Sequence, residues 1–125
     1  MSEAEIQTRA VDYIKLAYPN AKYCATLGGV RVTSFKQRVM LKRTGYVKGV
    51  PDLQIMQGRG SYYGMFLEIK KDKKSYPTPE QKIWIEYLNK ENYYAVIAKG
   101  LTMVLDEIDN YMKMRKTKCC GCNKN

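Results

Sequence analysis

The stretch Gly49–Lys70, GVPDLQIMQGRGSYYGMFLEIK, constrains the fold of this chain more than any other. Leu53 and Ile55, then Met65, Leu67 and Ile69, alternate as strand residues do. Gly58-Arg59-Gly60-Ser61 between them is turn chemistry, so the stretch predicts a β-hairpin. Asp52 opens the first strand directly after Pro51, and Glu68 falls late in the second, where antiparallel pairing brings the chain back towards Asp52. Lys70 is two residues beyond Glu68 and shares its face. Hard carboxylate oxygens beside a cation suit a divalent metal next to a phosphate.

Charged residues at strand ends are ordinarily solvated, and an isolated Glu-x-Lys carries little meaning. Glu68, however, interrupts the apolar run Met65-Phe66-Leu67 and Ile69. A carboxylate buried there is costly unless it is paired or holds a metal.

Gly49-Val50-Pro51-Asp52 followed by Glu68-Ile69-Lys70 resembles the PD-(D/E)xK nucleases, and more narrowly the small stand-alone VRR-NUC nucleases of phages. The narrower pattern adds a Glu on an N-terminal helix and a Gln on the helix after the hairpin, positions filled here by Glu5 and Gln81. The resemblance runs from about Glu3 to Met112. It implies a restriction-endonuclease-like α/β core and a Mg²⁺ or Mn²⁺ ion held by Asp52, Glu68 and the Ile69 carbonyl. Lys70 would then orient the attacking water or stabilise developing charge, while Glu5 and Gln81 complete the site. It also implies a homodimer acting on branched DNA such as a Holliday junction.

The charge balance agrees with a polyanionic partner. The net charge is +10, and no acid lies between Asp12 and Asp52. That acid-free interval holds Arg31, Lys36, Arg38, Lys42, Arg43 and Lys48, and Lys71, Lys73 and Lys74 follow the hairpin. These nine are the candidate DNA contacts. Composition alone does not separate DNA from RNA or an anionic membrane. The absence of histidine excludes Ser-His-Asp and Cys-His catalysis and the usual zinc sites, but leaves carboxylate, lysine and metal chemistry open.

Along the chain, Ile6, Ala10, Tyr13, Ile14 and Ala17 mark an amphipathic helix over 2–18. Ser2 and Glu5 also fit a capping box, a purely structural use of Glu5. Lys22–Leu27 and Val30–Thr33 read as two short strands around Gly28-Gly29. Residues 34–44 alternate as a strand would, yet Ser34 as N-cap and Gly45 just past the end favour a helix. Thr78, Pro79 and Gln81 start a helix that runs to about Glu91, and there Gln81 fits a capping box as well as a site role. Tyr93–Ala98, YYAVIA, predicts a central buried strand reached by a βαβ crossover, and Leu101–Met112 a last amphipathic helix.

The chain is therefore expected to form one α/β domain over 1–116, a small mixed sheet flanked by helices, with a basic Cys-containing tail over 117–125. Cys119, Cys120 and Cys122 in that tail lack the paired spacing of a zinc site. With no apolar run long enough to span a bilayer, and with MSEAEIQTRA unlike a signal peptide, a cytoplasmic location is expected, the host's if the protein is phage-encoded. The expected function is metal-dependent endonucleolytic cleavage of DNA. The alternatives are a non-catalytic nucleic-acid-binding module, which would have no use for clustered carboxylates, and a nuclease acting on RNA.

Overall fold

The computed structural model describes residues 1–26 and 34–117. The elements are α1 (Glu3–Ala17), β1 (Tyr23–Ala25), α2 (Phe35–Arg43), β2 (Leu53–Ile55), β3 (Met65–Lys70), α3 (Pro79–Lys90), β4 (Tyr94–Lys99) and α4 (Leu101–Met112). The predicted Val30–Thr33 strand, Arg31 and the three tail cysteines lie outside the described residues.

The predicted hairpin is the β2–β3 pair, antiparallel, with Leu53 opposite Leu67 and Ile55 opposite Met65. At its tip Arg59 and Tyr62 exchange both backbone hydrogen bonds, 3.2 and 2.9 Å, across Gly60-Ser61. Gly60 has φ +57, which a glycine adopts without strain at the first corner of a primed hairpin turn. The Tyr111 hydroxyl donates to the Gln57 carbonyl, so α4 ties down the base of this turn. Tyr62, next to this turn, is half-buried against Tyr94 and Tyr111, with ring centroids 5.2 and 6.3 Å away.

The sheet order is β1-β2-β3-β4, with β1–β2 and β2–β3 antiparallel and β3–β4 parallel. The crossover through α3 is as predicted. One expectation fails. YYAVIA forms β4, which ends the sheet among the described residues, while β3 is the inner strand buried along its whole length. The apolar run of β4 reflects its two covered faces, by α4 on one side and α3 on the other. A covered face and a paired edge are separate conditions, and hydropathy reports only the first.

Side chains of β3 sort by parity. Met65, Leu67 and Ile69 join Ile6, Ala10 and Ile14 of α1 and Val104, Ile108 and Tyr111 of α4 in the larger core. Each fully buried aliphatic side chain there contributes ~1.5–3 kcal/mol. Phe66 faces the opposite way, onto Leu88 and Ala95, with Trp84, Ile85 and Tyr93 around them. Glu68 and Lys70 continue the Phe66 face towards the C-terminal end of the strand. The result is a three-layer α/β/α arrangement, with no helix among the described residues long and apolar enough to cross a membrane.

Candidate active site

Hairpin register alone brings Asp52, Glu68 and Lys70 together. Asp52 directly precedes β2, and its Oδ2 accepts from the Ile69 backbone N–H at 2.8 Å. The N–H and C=O of one strand residue point to the same edge. The Ile69 carbonyl therefore opens on the Asp52 side, where β2 has already ended.

Glu68 is 1% exposed and Lys70 7%, and Lys70 Nζ lies 3.6 Å from Glu68 Oε1. The second oxygen, Glu68 Oε2, is buried without a hydrogen-bond partner. Burial pushes the Glu68 carboxyl up to about 8, and the charge of Asp52 adds to the effect while Lys70 opposes it. Asp52 is also raised, first by burial, then by the charge of Glu3, against the Ile69 N–H and Lys70, which lower it. Two carboxyls held together with one oxygen orphaned are short of positive charge. That deficit is what a bound cation removes.

The loop carrying Asp52 is fixed from two sides. Thr26 donates its hydroxyl to the Pro51 carbonyl at 2.7 Å and its N–H to the Asp52 carbonyl at 2.9 Å. Gly49, at φ +99, presses against the start of α3, where a Cβ would sit 2.8 Å from the Glu80 carbonyl carbon. The close approach that glycine permits here is to a helix N-terminus.

Gln81, in the first turn of α3, is thereby brought beside this loop. Its Oε1 accepts from Thr78 N at 2.8 Å, and the Thr78 hydroxyl accepts from Gln81 N at 3.2 Å, the full capping box. Glu5 also makes its capping box, its carboxylate accepting from Ser2 N at 3.3 Å. The acid of α1 that turns to the site is Glu3. Its Oε2 accepts from Lys71 N at 3.3 Å, and it lines a cleft of about 630 Å³ together with Asp52, Gln7, Val11 and Thr26. Sequence reasoning did not single out Gln7 or Thr26. Thr26 stands in a strand end with no distinguishing motif, and Gln7 is one helical turn beyond Glu3, a relation that shows only once the register of α1 on the sheet is known.

Among the candidate DNA contacts, Lys36, Arg38, Lys42 and Arg43 are exposed on α2. Lys48 is exposed in the following loop, 3.9 Å from Glu80. Lys71, Lys73 and Lys74 are exposed in the turn leaving β3, directly after Lys70.

No three His, Cys, Asp or Glu side chains gather as a metal cluster among the described residues. Magnesium does not require three. It is commonly held by one or two carboxylates, with water and substrate phosphate filling the remaining positions. The orphaned Glu68 oxygen, Asp52 and the Ile69 carbonyl fit that demand.

The chain thus sets the buried Glu68 carboxyl, the half-buried Asp52 and the buried Lys70 side by side at the end of a mixed α/β sheet. The family model described as VRR-NUC domain matches residues 5–101, so the chain belongs to the VRR-NUC family of nuclease domains. A solved structure described as a VRR_NUC domain protein is 34% identical, with a TM-score of 0.78 over 94% of this chain and 93% of that one. A second, described as a VRR_NUC domain, is 23% identical with a TM-score of 0.58 over 87% of this chain and 96% of that one, a likeness of fold. None of the curated proteins compared with the chain matches it.

Proposed function

We propose that the protein is a PD-(D/E)xK-type endonuclease of the stand-alone phage kind, cutting DNA phosphodiesters with Mg²⁺ or Mn²⁺ and preferring branched substrates. The observation that carries this reading is the buried Glu68 carboxyl, raised to about 8, with one orphaned oxygen and Asp52 beside it. Asp52, Glu68 and the Ile69 carbonyl would hold the metal, which supplies Lewis-acid polarisation of the phosphate and a more acidic water.

The remaining work falls to the chain itself. Lys70, fixed by Glu68 in a nearly dry setting, presents its ammonium to the scissile phosphate and stabilises the charge that develops there. Glu3 takes the role that the resemblance gives to Glu5, accepting hydrogen bonds from water in the cleft it shares with Asp52. Gln81 has its carbonyl oxygen engaged by the cap, and its amide N–H groups are the part it can offer to water or phosphate. The lysines after β3 and the cations of α2 hold the flanking backbone. The nuclease domain extends over 1–116 with 117–125 as a tail, and the active form is a homodimer in the host cytoplasm.

The test is a panel of duplex, flap, four-way junction and single-stranded DNA, with matching RNA, incubated with Mg²⁺, Mn²⁺ or EDTA. Metal-dependent cutting of branched DNA supports the proposal. Failure to cut any substrate with either metal would return the chain to a binding role. Light scattering under reducing conditions tests the dimer.

A further inference from the structure

α2 buries none of its residues, yet its first residue is a phenylalanine. Phe35 is 74% exposed and Val39 41%. The helical repeat sets these two residues in one row, i and i+4, on the outer side. Arg38 and Lys42 form the neighbouring row on one flank. Lys36 and Arg43, with Met40 between them, lie along the other. Leu41 is the residue turned inwards, and it shares a cavity with Thr26 and Val50. Thr26 is the residue bonded to the Pro51 and Asp52 carbonyls, so α2 stands beside the loop that carries Asp52.

An apolar ridge between two rows of cations, without an acid on the helix, has a restricted set of partners. Another exposed apolar row, Ile83 and Tyr87 of α3, is interleaved with Glu80, Lys82, Glu86 and Lys90, and Lys90 pairs with Glu86 at 3.4 Å. That mixed-charge surface suits a protein neighbour. The α2 surface repels a second copy of itself and matches a polyanion that also offers a flat apolar face. DNA offers such a face where stacking is interrupted.

We propose that α2 reads the branch point: Phe35 and Val39 stack on the base pair exposed where a duplex forks, while Arg38 and Lys42 on one flank and Lys36 and Arg43 on the other hold the diverging phosphates. This rests on the DNA-nuclease reading and adds to it the element that selects branched over linear DNA.

The test uses the full chain in EDTA, with a four-way DNA junction carrying 2-aminopurine at the branch and a linear duplex of equal length. The parent should favour the junction and lower the 2-aminopurine fluorescence, since stacking on the exposed base quenches it. Phe35→Ser with Val39→Ser, both at exposed positions, should lower the junction-to-duplex affinity ratio about tenfold. The salt slope should not change, and Phe35→Trp should retain the ratio. Lys36→Ala with Arg43→Ala should weaken the junction more than the duplex and reduce the salt slope for the junction by about two. An unchanged ratio in the serine variant overturns the proposal. So does an effect of that variant confined to oligomeric state, or to binding of phosphatidylserine vesicles, since either gives α2 another partner. Because binding is read without metal, the two readings fail separately. A parent that captures junctions through the ridge but never cuts sinks the nuclease reading, whereas a Phe35→Ser/Val39→Ser variant that prefers and cuts junctions as well as the parent sinks this one.

Discussion

Lys70 Nζ stands 3.6 Å from Glu68 Oε1, both side chains are buried, and the other Glu68 oxygen meets no partner. The lysine and the carboxyl share one strand face because they are two residues apart, and Asp52 joins them because the hairpin register ends β2 where Glu68 begins to need a neighbour. The site is thus a product of strand parity and one turn.

The first consequence is a pH dependence of stability without metal. Burial raises Glu68 from its ordinary 4.5 to about 8. Between those values the folded chain keeps a proton that the unfolded chain has lost, so stability falls as pH rises through the window and levels off above it. The slope is at most about 1.4 kcal/mol per pH unit. In EDTA, Glu68→Gln should therefore gain melting temperature over the parent as pH goes from 5.5 to 8.5. A constant difference across that range would mean that the carboxyl titrates normally.

Glu3 and Glu5 should separate cleanly. Glu5→Gln keeps a residue that completes a capping box, so both stability and cleavage should stay near the parent's. Glu3→Gln removes the charge that faces Asp52 and shares its cleft, and should lower kcat/KM for a junction at least tenfold with little change in melting temperature. The reverse ranking would restore Glu5 to the site.

Gly49→Ala should damage both fold and site. The residue adopts φ +99, and a Cβ would sit 2.8 Å from backbone of Glu80. Positive φ alone costs a non-glycine residue ~1–3 kcal/mol, and the clash must move either the Asp52 loop or the start of α3 that carries Gln81. Loss of at least that much stability in urea, with a larger drop in cleavage than Gln81→Ala gives, is the expected result. Parent-like stability would show that the loop has room to shift.

Much of this was legible beforehand. The alternation of Leu53, Ile55, Met65, Leu67 and Ile69 gave the hairpin and its buried face, and Ser2, Ser34 and Thr78 marked three helix starts that the structure uses. Both are local patterns. What escaped depends on how elements dock. Whether residue 3 or residue 5 of α1 turns towards Asp52 is set by the angle of the helix on the sheet, since both lie in its first turn. The place of β4 at the end of the sheet was hidden because hydropathy registers covered faces and is blind to strand order.

The most direct measurement is Asp52→Asn on one labelled four-way DNA junction, with cutting followed in Mn²⁺ and binding in EDTA. The change removes one carboxylate charge with almost no change of shape. If Asp52 is a metal ligand, its loss should remove several kcal/mol of transition-state stabilisation. At ~1.4 kcal/mol for each tenfold in rate, cleavage should fall at least a hundredfold. Binding should stay equal or tighten, because without metal Asp52 only repels the phosphate. A variant that cuts the junction as fast as the parent would contradict the account and move the metal away from Asp52.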